Sequence, residues 1–218
     1  MVAMKAALFD MDRTLVRVNT GRLYVRWRFS RREAGWRDVA RFARWMAQYT
    51  FGVIDPAEIT TKAIRTLEGV NEARFAAEIE EWWRDQVWPE ISRDARSEVE
   101  RCRRDGFVLA ILTASTRYAT QPLARELGID HVLCTELEVK KGRFTGECER
   151  LCYGKGKVER AEQWARDLDV DLERSRFYSD SVSDRPMLER VGDARIVNPD
   201  PRLRWLAARR GWPVVRWR

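Results

Sequence analysis

The residues best equipped for chemistry stand at the end of a short apolar run. Ala6-Ala7-Leu8-Phe9 leads straight into Asp10-Met11-Asp12-Arg13-Thr14-Leu15. In extended backbone, residues two apart project to the same side, so the carboxylates of Asp10 and Asp12 and the hydroxyl of Thr14 begin to converge just beyond the strand. Such acidic convergence suits a hard, oxygen-seeking cation. The Asp-x-Asp-x-Thr string alone is a weak signal, and the clusters that follow it decide its meaning.

Three more polar clusters follow in order. The run from Phe107 to Leu112 reads as a fully buried strand ending in Thr113-Ala114-Ser115-Thr116, ahead of a helical stretch from about Tyr118 to Leu127. Hydroxyls and free N–H groups at a helix start bind phosphate well. Gly154-Lys155-Gly156-Lys157 opens another helix, and Arg176-Phe177-Tyr178-Ser179 reads as a short strand delivering Asp180-Ser181-Val182-Ser183-Asp184. In a parallel sheet these strand ends share one edge, where open α/β folds build their sites.

This ordered set resembles the haloacid dehalogenase (HAD) superfamily of phosphotransferases, and in particular its phosphoserine phosphatase-like branch, subfamily IB. Asp10-Met11-Asp12-Arg13-Thr14 is similar to the first motif, Thr113 to the second, Lys157 to the third, and Asp180 with Asp184 to the fourth. The tail Asn198-Pro199-Asp200-Pro201-Arg202-Leu203, with Gly211-Trp212-Pro213 after it, also resembles subfamily IB hydrolases. The resemblance spans nearly the whole chain. It implies an α/β fold with a HAD-like, doubly wound (Rossmann-like) parallel sheet as catalytic core, residues 1–16 and 97–218, and an inserted helical cap, residues 17–96.

The resemblance also implies roles. Asp10 would attack phosphorus and form an aspartyl phosphate, while Asp12 would protonate the leaving oxygen and then activate water. Mg2+ would be held by Asp10, the Asp12 backbone carbonyl and Asp180. Thr113, Ala114 and Lys157 would bind the phosphoryl oxygens, and Asp184 would orient Lys157 or a metal-bound water. Taken singly, each residue has a plainer reading: Asp12 and Thr14 as turn or capping residues, Lys157 as a solvated helix start, Asp184 as an N-cap before the Pro186 helix. Those readings lose because all the clusters would have to fall by accident in the family's order. Lys155 competes with Lys157, and the register before Asp180 favours Lys157. Thr116 and Arg117 are equally readable as phosphate contacts or as capping and surface residues.

Departures from the family bear on substrate. Asn19 stands where phosphoserine phosphatases carry the acidic residue that holds the substrate amine, and Thr61 where their cap has an arginine for the carboxylate. Lys62 or Arg65 would have to substitute, which makes Asn19, Thr61 and Arg65 the candidate specificity residues. Arg13 and Ser179 replace common glycines. The expected substrate is a small phosphorylated metabolite, phosphoserine- or histidinol-phosphate-like. A phosphatidylglycerophosphate-type lipid is the alternative, because Tyr24, Trp27, Phe29, Trp36, Trp45, Tyr49 and Phe51 interleave with Arg in a manner compatible with an anionic membrane surface. A third reading, a basic nucleic-acid-binding module on a retained fold, rests on charge and Trp content alone, and intact aspartates argue against it.

Composition fits a soluble enzyme, with the cytoplasm as default compartment. The chain has 218 residues, 44% of them hydrophobic, enough for one good core and a smaller second one. No apolar run reaches membrane-spanning length, and no signal peptide precedes the Asp10 strand. Four cysteines, Cys102, Cys134, Cys148 and Cys152, are too few and irregular for a disulfide framework, and with His131 the sole histidine they read as reduced thiols. The net charge is +7, and only six of the 41 basic residues are lysine. Most of these charges read as solvated helix faces, with a modest positive field toward phosphorylated substrates.

These groups must be positioned by predictable elements. Trp36, Val39, Ala40, Ala43 and Met46 recur at helical spacing. A second helix is expected near Glu58 to Glu68 before Gly69, and a third from Asn71 to Trp88, stopped by Pro89. From Ile91 the chain should return through a helix ending near Asp105-Gly106. A hairpin is expected over Leu137 to Gly146, followed by helices over Lys157 to Leu168 and after Pro186, a strand over Ala194 to Val197, and a helix over Arg202 to Arg210.

Overall fold

In the computed structural model, which describes residues 3–31, 40, 44 and 56–218, strand β1 (Ala6–Phe9) has no exposed side chain. Ala6 and Leu8 face one apolar layer, Ala7 and Phe9 the other. That is what a continuous apolar run requires of a strand covered on both faces. Among the described residues β1 lies at the centre of a seven-stranded sheet of order β4-β3-β2-β1-β5-β6-β7. The other strands are β2 (Val108–Thr116), β3 (His131–Lys140), β4 (Arg143–Arg150), β5 (Arg176–Ser179), β6 (Asp193–Val197) and β7 (Val214–Val215). All neighbouring pairs run parallel except β3 and β4, which form an antiparallel hairpin across Lys141-Gly142.

Helices cover both faces. Between β1 and the return to the sheet lie α1 (Thr20–Ser30), α2 (Pro56–Arg65) and α3 (Glu72–Trp82). Then come α4 (Arg93–Arg104), α5 (Arg117–Leu127), α6 (Lys155–Asp167), α7 (Arg185–Arg190) and α8 (Pro201–Arg210). α4 and α5 bury Val99, Cys102 and Leu123 against the layer of Ala7 and Phe9, where Trp27, Phe75, Ile79 and Trp82 of the inserted helices join them. α6, α7 and α8 bury Trp164, Met187 and Leu203 on the opposite layer. The doubly wound α/β architecture expected from the sequence is therefore present. Helix α4 packs on the sheet from its first turn, where Ala95 is fully buried, so the expected domain boundary after residue 96 falls inside this helix.

Several ends differ from expectation. The helix anticipated from Asn71 to Trp88 stops as an α-helix at Trp82, continues as one π-helical turn over Trp83–Val87, and closes with a 3-10 turn over Trp88–Glu90 that contains Pro89. The wider turn lets both Trp83 and Val87 face the core. The helix expected near Glu58 to Glu68 is α2, three residues shorter at its end because turns lead into Gly69 at φ +76°. Helix α6 begins at Lys155, two residues earlier than expected, with Gly154 at φ +55° as its N-cap. The anticipated hairpin is the outer half of a longer one. The first half of β3 and the whole of β7 were not anticipated. The helix expected over Trp36, Val39, Ala43 and Met46 lies outside the described residues, as do Trp45, Tyr49 and Phe51. Among the described residues no helix is long and apolar enough to cross a membrane. All four cysteines are free thiols.

The inserted helices are joined to the sheet by main-chain hydrogen bonds. Gly69 N donates to Phe144 O at 2.8 Å, Phe144 N to Val70 O at 3.0 Å, and Glu72 N to Gly142 O at 3.0 Å. Beside this seam, Phe75, Tyr118 and Phe144 meet edge to face with ring centroids 5.2 to 5.5 Å apart.

Gly156 sits in the first turn of α6 because nothing larger fits. A Cβ there would lie 2.2 Å from the Leu151 carbonyl oxygen, a backbone atom that cannot swing aside. Gly156→Ala should therefore cost about 1–3 kcal/mol through overpacking and displace the turn that carries Lys157. A lowered urea midpoint with reduced activity is the expected result, and a wild-type midpoint would contradict it.

Candidate active site

The end of β1, the start of α6 and the loop after β5 meet at one ammonium group. Lys157 Nζ donates to Asp10 Oδ1 and to Asp184 Oδ2, each at 2.7 Å. All three side chains are buried. Burial opposes the lysine's charge, but the two carboxylates outweigh it and hold the ammonium above the usual lysine range. Asp184 is steadied by a second donor, Ser179 Oγ at 2.7 Å, and the same hydroxyl accepts from Ser181 N at 3.2 Å. The serine that replaces a common glycine is thus part of the support of Asp184. Lys155, the competitor in the sequence, is exposed.

Asp12 is held from the start of α1. Thr20 donates to its Oδ1 from the backbone N at 3.1 Å and from Oγ1 at 2.7 Å, and Asn19 Nδ2 donates to Oδ2 at 2.8 Å. Burial raises the pKa of Asp12, and the bonds from Thr20 oppose that rise. The Asn19 amide, expected near the substrate, is spent on Asp12 and on capping α1, where Oδ1 accepts from Arg22 N at 3.0 Å. Thr20 was missed by sequence reasoning. The signal was there in Asn19-Thr20, a capping residue opening a helix.

Thr113 ends the buried part of β2 and its Oγ1 accepts from Ser115 N at 3.2 Å. Ala114 follows with its carbonyl accepting from Thr135 Oγ1 at 2.8 Å. Thr116 takes the N-cap position of α5 without a side-chain bond, its carbonyl accepting from Thr120 Oγ1. Arg117 turns away to Glu72, 2.6 Å from its Oε1, so it joins α5 to α3 instead of reaching toward the carboxylates. Thr14 Oγ1 is buried with no hydrogen-bond partner among the described residues. Arg13 occupies the left-handed region at φ +55°, which explains a glycine's usefulness there; an L-residue costs about 1–2 kcal/mol in that region. Its side chain is exposed, and its charge lowers the pKa of both Asp180 and Asp12.

Asp180 follows β5, and no described residue donates a hydrogen bond to its carboxylate, although the residue is only 6% exposed. Burial, then the charges of Asp10 and Asp184, push its pKa to about 8. Asp10 is pushed to about 7, by burial first and by Asp184, with Lys157 pulling the other way. Four carboxylates thus influence one another where a single lysine is buried against two of them, a surplus of negative charge that a divalent cation would satisfy. Among the described residues no three His, Cys, Asp or Glu side chains are grouped so that they alone could hold a metal ion. Two carboxylates and a backbone carbonyl, the donors that Asp10, Asp180 and Asp12 could offer, are the chemistry of an Mg2+ site in which the ion keeps several of its waters. Asp200 is a further residue that the sequence left without a role. It accepts from Val182 N and Leu203 N, both at 2.8 Å, and so ties the Asp180 loop to the start of α8.

The other specificity candidates lie on α2. Lys62 reaches back to Glu58 at 3.4 Å, and the backbone of Arg65 lies against Gly146 of β4. No described hydrogen bond or ion pair links Lys62 or Arg65 to the carboxylate cluster, and Thr61 is half-buried on the same helix.

Comparison with known proteins gives the family. The family model of haloacid dehalogenase-like hydrolases matches residues 7–189. A probable phosphatase of Mycobacterium tuberculosis is 32% identical over 218 residues, covering 98% of this chain and 75% of that protein. A phosphoserine phosphatase of the same organism is 34% identical over 217 residues, covering 96% of this chain and 70% of its own length. A crystal structure from Bordetella pertussis Tohama I superposes with a TM-score of 0.90 at 32% identity, covering 98% of both chains. The chain therefore belongs to the haloacid dehalogenase-like hydrolases. Within them it is an enzyme of the phosphatase class, similar to the phosphoserine phosphatases.

The Asp180 environment carries a pH signature. A carboxyl group whose pKa is raised on folding stabilises the metal-free protein below the ordinary carboxylate range, and that contribution is lost as pH rises through the folded value of about 8. Asp180→Asn, a neutral mimic, should thus gain thermal stability relative to the wild type as pH goes from 5 to 9 in chelator, and added Mg2+ should close the gap. A melting-temperature difference independent of pH would contradict the assignment.

Proposed function

We propose that the protein is a Mg2+-dependent phosphomonoester hydrolase that works through an aspartyl phosphate on Asp10. The observation that carries this reading is the Lys157 ammonium, 2.7 Å from both Asp10 and Asp184, near an Asp180 carboxylate to which no described residue donates. Phosphoryl transfer asks chiefly for alignment and for neutralisation of charge on the oxygens around phosphorus. Lys157 fixes the rotamer of Asp10 so that its other oxygen is available for attack. Lys157, the Thr113 hydroxyl and the backbone around Ala114 supply donors to the phosphoryl group. Asp12 gives a proton to the leaving oxygen and takes one from the attacking water. Asp184, held by Ser179, keeps Lys157 in register. Mg2+ held by Asp10, the Asp12 carbonyl and Asp180 would supply further neutralisation of the phosphoryl oxygens.

The inserted helices, which the sequence places at residues 17–96, serve as a cap that selects the leaving group, because the core residues handle only the phosphate. A small phosphorylated metabolite of the phosphoserine or histidinol phosphate kind is the substrate favoured, in keeping with the relative named a phosphoserine phosphatase. A second reading, a phosphatidylglycerophosphate-type lipid at an anionic membrane surface, draws on α1. Its Arg22, Arg26 and Phe29 recur at helical spacing and are all exposed.

Asp10→Asn should fold normally by circular dichroism and lose turnover by about 10^4-fold or more, as removal of a nucleophile does elsewhere. Near-normal hydrolysis of p-nitrophenyl phosphate by this variant would sink the mechanism. A panel of phosphorylated metabolites and lipid vesicles, assayed with Mg2+ and with chelator, separates the two substrate readings.

A further inference from the structure

Both oxygens of Asp12 are held from a single place, the first turn of α1. Oδ1 accepts two hydrogen bonds from Thr20 and Oδ2 accepts one from Asn19. Neither donor is free to turn elsewhere. The Asn19 amide is oriented by its own carbonyl, which caps the helix at Arg22 N, and Thr20 is 4% exposed. Helix α1 is itself seated on α3. Trp27 is buried, the Tyr24 ring meets Trp82 edge to face at 5.3 Å, and Tyr24 OH donates to Glu78 at 2.6 Å.

We infer that Asn19 and Thr20 are positioning residues that hold Asp12 Oδ2 for proton transfer, and that the seating of α1 on α3 keeps them there. The inference rests on the aspartyl-phosphate reading above. An oxygen whose lone pairs face two donors cannot also carry a proton without losing one of them, so Oδ1 stays the acceptor and Oδ2 carries the proton. The three donors also prevent the carboxyl group from rotating and exchanging its oxygens. In the first half-reaction a bond forms from the Asp10 oxygen to phosphorus, the bond from phosphorus to the leaving oxygen breaks, and the proton on Asp12 Oδ2 moves to that oxygen. In the second, Oδ2 takes a proton from water as the water oxygen bonds to phosphorus and the bond to Asp10 breaks, releasing orthophosphate. An alcohol leaving group needs the first proton transfer, nitrophenolate does not, and both need the second.

That inequality separates positioning from mere stability. Thr20→Val should keep the pre-steady-state burst of nitrophenolate from p-nitrophenyl phosphate, at near one equivalent per site, while its steady-state rate falls about 10- to 100-fold, the scale of general acid–base catalysis. Single-turnover transfer from phenyl phosphate, whose leaving oxygen is more basic, should fall by a similar factor. Thr20→Ser should restore both, and Asn19→Ala carries the same test if Thr20→Val does not fold. Burst and steady state falling together, or an unchanged steady state, would overturn the inference. Asp10→Asn run alongside separates the two levels. A burst from that variant overturns the nucleophile, whereas silence there with wild-type behaviour in Thr20→Val overturns the positioning alone.

Discussion

Lys157 is nearly inaccessible to solvent, yet its ammonium touches two carboxylates that come from opposite ends of the chain, Asp10 and Asp184. Moving an ion from water into such a place costs several kcal/mol, and only close opposite charge with full hydrogen bonding offsets it. The arrangement therefore demands that β1, β5 and the start of α6 arrive in fixed register. The parallel pairing of Phe9 with Tyr178 and the stacking of their rings at 4.5 Å set that register from the apolar side. Gly156 and Gly154 set it from the helix side. Removing the lysine would leave Asp10, Asp12, Asp180 and Asp184 with no buried cation, so the same contact that orders the site also makes its acidity tolerable.

Much of this was legible in the sequence, for a physical reason. The core strands are covered on both faces, so they appear as uninterrupted apolar runs, and each run ends abruptly in polar residues where it leaves the sheet. Ala6–Phe9 and residues 107–112 read that way, the shorter Phe177-Tyr178 does so between Arg176 and Ser179, and the order of the clusters at their ends points to the family. The helices after Gly154, Asp184 and Asp200 announced themselves through capping residues and prolines.

What escaped was whatever depends on contacts between distant segments. Through the π-helical turn at Trp83–Val87 the apolar residues Ile79, Trp83 and Val87 keep the four-residue spacing of an ordinary helix, so pattern alone does not distinguish it. The early part of β3 begins at a histidine and carries few turn signals. Asn19 shows the limit most plainly. The family resemblance implies a place for it at the substrate, whereas its amide is already committed at both ends, to Asp12 and to Arg22 N, a fact that spacing cannot convey. Ser179 looked like a loss of glycine and is in fact the support of Asp184.

The seam at residues 69–72 has a bearing on the solubility of the fold. Among the described residues strand β4 is the last of the sheet on this side, and the Gly142 carbonyl and both the N–H and the carbonyl of Phe144 are taken up by Glu72, Val70 and Gly69 of the inserted segment. Were that segment excised, the hairpin would present an open row of donors and acceptors, the template on which strands from other molecules add. The insertion thus covers the turn end of this sheet edge, and a form lacking it would need a charged or proline-bearing edge there to discourage strand addition.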